Sequence, residues 1–212
     1  MLGLRHHFER GDTLIEVLFA TAIFSLIAVG GLAIMNQGMT ASQRALEITL
    51  VRNEIDAQAE ALRFLNASYI AAYEPDAVYL DSTPAGQWSK ISETALSDSA
   101  SSFNRAGSKC PSSINGLRSS SFVINTKSAK YTELTVSNFQ SAQTFSQLIY
   151  DGVGNITSAD GIWVEAVSYK PNLGNSQDKM GYIDFHIRAC WDSPGQSIPA
   201  TIGTIVRLYE PL

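Results

Sequence analysis

No proline occurs before Pro75 in this chain of 212 residues. An interior proline costs a helix about 3 kcal/mol, so its absence leaves the N-terminal part free to form one very long helix. No charged residue lies between Glu16 and Arg44. That gap excludes an ordinary half-wet surface helix there and marks a segment made for apolar surroundings. Histidine is scarce, with only His6, His7 and His186. The two cysteines, Cys110 and Cys190, form no CxxC and no Cys/His cluster, which argues against a zinc site. The chain has no nucleophile motif, no P-loop and no HExxH. It is therefore not expected to be an enzyme or to carry a cofactor or metal.

What is present begins with a short leader, MLGLRHHFER, followed by Gly11-Asp12-Thr13-Leu14-Ile15-Glu16-Val17. An apolar run then extends to Met35, with Glu16 near its start as its one charged residue. A run of about 22 residues spans about 33 Å as a helix, enough for a bilayer core. Arg5 and Arg10 precede it, whereas the bases beyond it are accompanied by acids such as Glu47 and Glu54. The positive-inside rule keeps the N-terminus cytoplasmic and sends the remainder out. A carboxylate inside a membrane helix costs roughly 2–3.5 kcal/mol, so Glu16 needs a partner. One local answer is a capping box, Thr13-x-x-Glu16, which satisfies orphan N–H groups at the helix start.

A basic leader ending in Gly, then T-L-I-E-V opening a hydrophobic helix, resembles the prepilin signal of type IV pilins and of the related pseudopilins. The likeness covers about residues 1–36, with a cut after Gly11. It implies a leader at 1–11, a transmembrane and assembly helix at 12–36, and an exported pilin-like domain at 37–212. It further implies that Glu16 meets the freed α-amine of Asp12 on the neighbouring subunit. Asp12 departs from the apolar residue, commonly Phe, that the family carries there and methylates. Its carboxylate lies beside that amine and four residues from Glu16, on one helix face. The implied partners are other pilin subunits, a prepilin peptidase and an inner-membrane assembly platform. The implied location is a single-pass cytoplasmic membrane protein that becomes part of an extracellular filament. Two competing readings of the N-terminus are a conventional signal cut near Ala20-Thr21-Ala22 and an uncut signal anchor.

Removing residues 1–11 takes away two Arg and one Glu, moving the formal charge from −5 to −6. An acidic exported surface argues against indiscriminate nucleic-acid binding. Both cysteines lie beyond the anchor, where the compartment oxidises thiols. A Cys110–Cys190 bridge closes a loop of about 80 residues and stabilises by roughly 4–5 kcal/mol in the chain-entropy model; the alternative is two separate buried thiols.

The long helix is read from about Thr13 to Asn66 or slightly beyond. Gly30-Gly31 is its weak spot, a place for bending or for close helix packing. Ile48, Val51, Ile55, Ala59, Leu62 and Leu65 recur at spacings of three and four, an apolar stripe for a protein core. Residues 70–120 read as a Ser-rich connection with short helices near Glu93–Leu96. Strands are expected over Ser121–Thr126, Tyr131–Ser137, Thr144–Tyr150, Gly161–Lys170, Gly181–Trp191 and Thr201–Tyr209. Tyr182, Asp184, His186 and Arg188 alternate with Ile183, Phe185, Ile187 and Ala189, a sheet with one wet face. The fold class is α+β: one long helix laid across an antiparallel meander.

Two further constellations stand out. Asp151, Asn155 and Asp160 bracket a Gly-rich loop that offers oxygens to calcium or simply makes a hairpin turn. Arg105, Lys109, Arg118, Lys127 and Lys130 occur between Ser99 and Thr132 with no acid among them. They are candidate contacts to phosphates or an anionic surface, or a solvated loop. The leading expectation is thus a structural, minor, pilin-like subunit. The alternatives are an adhesin or DNA-binding pilin, and a single-span membrane protein that never polymerises.

Overall fold

The computed structural model describes residues 12–97, 110–169, 181–193 and 196–211. Helix α1 runs from Asp12 to Ala72, 61 residues without a break, as the missing prolines permit. It ends three residues before Pro75. Two compact units divide within it, between Ala45 and Leu46. Beyond the apolar run the helix stays exposed to Leu46, and its first fully buried residue is Val51.

The second unit holds the core. α1 contributes Val51, Ile55, Ala59, Leu62 and Leu65, each no more than 4% exposed. A second helix, α2, spans Pro84–Thr94. Thr83 caps it, its hydroxyl accepting from Gly86 N–H at 3.1 Å, and Pro84 sits at the first helical position, where its missing N–H costs nothing. This helix lies earlier than the short one expected near Glu93–Leu96. Its Trp88 and Ile91 are fully buried in the same core.

Among the described residues nine strands follow α2: β1 Leu96–Ser97, β2 Phe122–Asn125, β3 Lys130–Glu133, β4 Phe139–Gln140, β5 Gln147–Tyr150, β6 Ile156–Asp160, β7 Ile162–Tyr169, β8 Tyr182–Trp191 and β9 Ala200–Tyr209. The larger sheet has the order β3-β2-β7-β8-β9, with β1 beside β7. Its main ladders are antiparallel, but β1 pairs β7 in parallel. A smaller sheet, β4-β6-β5, contains a parallel β4–β6 pair. The simple meander is therefore corrected to two sheets with parallel additions. Strand β6 occupies what reads in sequence as the far side of a turn.

The alternation along β8 is as expected: Ile183, Phe185, Ile187 and Ala189 are buried, and the residues between them are half-exposed. One wet face holds for β8 and β9 but not for β7. Trp163, Glu165 and Val167 on its outer face are also buried, and Phe139 of β4 meets Trp163 edge-on at 6.3 Å. Gly161 makes the corner between β6 and β7. Its φ is +62°, and a Cβ there would lie 2.3 Å from the carbonyl oxygen of Cys190. Only glycine fits such an approach in that conformation.

Candidate functional site

From Leu14 to Leu46 every residue of α1 is exposed, and the helix is long and apolar enough to cross a membrane. Leu18, Phe19, Phe24, Leu26, Ile27, Ile34 and Met35 are each more than 60% exposed. Two hydroxyls of the apolar run are answered within the helix. Thr21 Oγ1 donates to the carbonyls of Val17 and Leu18, and Ser25 Oγ donates to that of Thr21. Such bonds to carbonyls three or four residues back give a hydroxyl in hydrocarbon a partner. Glu16 projects from the first turns and is exposed. A Cβ added at Gly30 or Gly31 would meet nothing within 4 Å, so no packing among the described residues requires either glycine. Gly11 and the leader lie outside the described residues; Asp12 is the first helical residue.

Where the helix joins the core, polar side chains fasten it. The Glu47 carboxylate accepts from Trp191 Nε1 at 3.1 Å and from Ser193 Oγ at 2.8 Å. Gln58, fully buried, pairs with the backbone of β2: its Nε2 donates to Ile124 O, and its Oε1 accepts from Ile124 N, both at 2.7 Å. β2 meets β7 only at Phe122–Val164, so Ile124 lies beyond that contact and Gln58 takes the place of a strand. Asn66 Nδ2 donates to Tyr209 O at 3.1 Å. Sequence reading missed these three residues. The available signal is Gln58 on the apolar stripe, three residues after Ile55 and four before Leu62.

Cys110 and Cys190 form a disulfide with Cα atoms 5.5 Å apart. The bridge ties the segment before β2 to the end of β8.

The candidate basic contacts are dispersed. Arg105 and Lys109 lie outside the described residues. Arg118 is half-buried and acts on His186 of β8. Lys127 sits in the β2–β3 turn with its ammonium 4.1 Å over the Tyr150 ring, and exposed Lys130 opens β3. The Asp151 carboxylate closes its own turn. It accepts from the N–H groups of Val153 and Asn155 and from Asn155 Nδ2, at 2.8–3.0 Å. Those bonds, the Asn155 side chain foremost, hold its carboxyl below the usual range. Asp160, in β6, accepts from Gln140 and Ser158. Among the described residues no three His, Cys, Asp or Glu side chains gather to hold a metal ion.

No family model, curated protein or solved structure matches the chain.

Proposed function

We propose that this chain is a structural subunit, a minor one, of a type IV pilus or related pilin-like filament, cut after Gly11 and assembled through α1. The observation that carries the reading is one junction: a basic leader ends in Gly11, and close after it comes a helix that holds Glu16 and is apolar and exposed from Leu14 to Met35. Lipid before assembly and sibling helices afterwards would cover that surface. Glu16 then pairs with the α-amine of Asp12 on a neighbour, which offsets the roughly 2–3.5 kcal/mol of carrying a carboxylate in the membrane. The Cys110–Cys190 bridge suits an exported domain in an oxidising compartment.

Mass spectrometry of the protein from its host membrane tests the cut. A mature N-terminus at Asp12 is expected, and an intact Met1 refutes processing. Glu16→Ala should abolish incorporation into filaments while the Cys110–Cys190 bridge still forms; normal filaments would refute the charge-pair role.

A further inference from the structure

The two edges of the larger sheet are treated differently. β3 is four residues long and begins and ends on charges, Lys130 and Glu133. The Tyr131 N–H is taken by Gln87 Oε1 of α2 at 2.7 Å. These are ordinary ways to blunt an edge. β9 is ten residues long and paired with β8 along its whole length without a bulge. It has no internal proline, and its single charge, Arg207, is neutralised by a bidentate pair with Asp184 at 2.7–2.8 Å.

The hydrogen-bond phase identifies which groups face outward. Glu210 N–H donates to Gly181 O, so even-numbered residues of β9 bond to β8 and odd-numbered ones point away. Thr201, Gly203, Ile205, Arg207 and Tyr209 thus present backbone groups to the outside. Among the described residues only Asn66 reaches that side, at Tyr209 O. Ile205 is 62% exposed and Tyr209 50%.

We infer that β9 is a pairing edge for a second copy of this chain, joined antiparallel about a two-fold axis at Ile205. The register is set by two prolines. Pro199 and Pro211 are both odd-numbered and lack an N–H; they flank the outward ladder, and Ile205 is midway between them. With Ile205 opposite itself, Arg207 faces Gly203 of the copy and Tyr209 faces Thr201. The one charge never meets its like, and the glycine leaves room beside it. A slip of one ladder pair in either direction brings Pro199 or Pro211 into the pairing, where a bond is lost. A slip that centres Arg207 also opposes two like charges. Such a pair is closed. It therefore adds a lateral contact distinct from helix-driven polymerisation, and it does not depend on a cut after Gly11.

Site-directed cross-linking in membranes, with the full chain, tests this. The two native cysteines are already bridged. Ile205→Cys should give a disulfide-linked dimer on mild oxidation, several-fold above Ile149→Cys, an exposed site on β5 away from the edge. Thr201→Cys co-expressed with Tyr209→Cys, on differently tagged chains, should cross-link, whereas Thr201→Cys alone should not. Adding Ile205→Lys, which sets like charges on the axis, should abolish that mixed product while buried-tryptophan fluorescence stays unchanged. No enrichment at position 205, equal self-linking of Thr201→Cys, or a product with the mass of a different protein would each overturn the second-copy assignment.

Discussion

Replacing Gln58 by Leu keeps the bulk of a fully buried side chain and removes both hydrogen bonds to Ile124. The backbone N–H and C=O of Ile124 would then lie in the core without partners. Each such group costs about 1–3 kcal/mol, so the substitution should destabilise by about 2–6 kcal/mol. That is a large share of the 5–15 kcal/mol typical of a domain. Gln58→Glu gives the sharper result. A neutral carboxyl can donate to Ile124 O and accept from Ile124 N, as the amide does; a carboxylate can only accept. The folded state therefore raises the pKa of the new carboxyl above its unfolded value near 4.3. Its stability should be fullest below that value and be lost as pH rises through the folded pKa. Urea unfolding of the full chain in detergent, followed by the fluorescence of Trp88, Trp163 and Trp191, reads this directly. All three tryptophans are at most 3% exposed. A loss under about 0.5 kcal/mol for Gln58→Leu, the range of a neutral surface change, would refute the reasoning. So would a pH-independent stability for Gln58→Glu.

Three further outcomes are expected. Changing Cys110 and Cys190 together to Ser should cost about 4–5 kcal/mol by freeing a loop of some 80 residues, seen as a lower urea midpoint that reductant reproduces in the native chain. Glu47→Ala should cost about 1.5–3 kcal/mol by removing a charged acceptor from Trp191 and Ser193, and a shifted Trp191 emission would accompany it. Burial, with Arg188 and Arg118 nearby, holds His186 below its ordinary value of 6.5 despite the opposing pull of Asp184. Protonation thus favours the unfolded chain: its contribution is whole above pH 6.5 and declines as pH falls from there through the folded pKa. His186→Gln should flatten that part of the stability–pH curve.

The readable parts of the fold are those with a strong period. The stripe from Val51 to Leu65 and the alternation along β8 each point one face at the core, and both faces are where the pattern puts them. The extent of α1 was legible because nothing breaks it, although its end at Ala72 lies beyond Asn66. β1, β4 and β6 were not legible. β1 and β4 are two residues each and gain their partners only by parallel pairing with distant segments. β7 carries no sign in its sequence that a second layer covers its outer face. The candidate site divides in the same way. The apolar helix with Glu16 is local, whereas Glu47, Gln58 and Asn66 acquire their roles from groups 66 or more residues away.

The sequence alone determined that an unbroken helix begins beside Gly11 and is too apolar for water over its first turns, because helix continuity and hydropathy are properties of neighbouring residues. It also placed both cysteines beyond that helix, leaving a bridge or two separate thiols open. Only the tertiary structure decided that they are bridged, that a glutamine substitutes for a strand beside Ile124, and that among the described residues no strand pairs the outer side of β9. Each of these depends on which backbone groups find partners across the fold, and that pairing is settled by long-range register rather than by any local pattern.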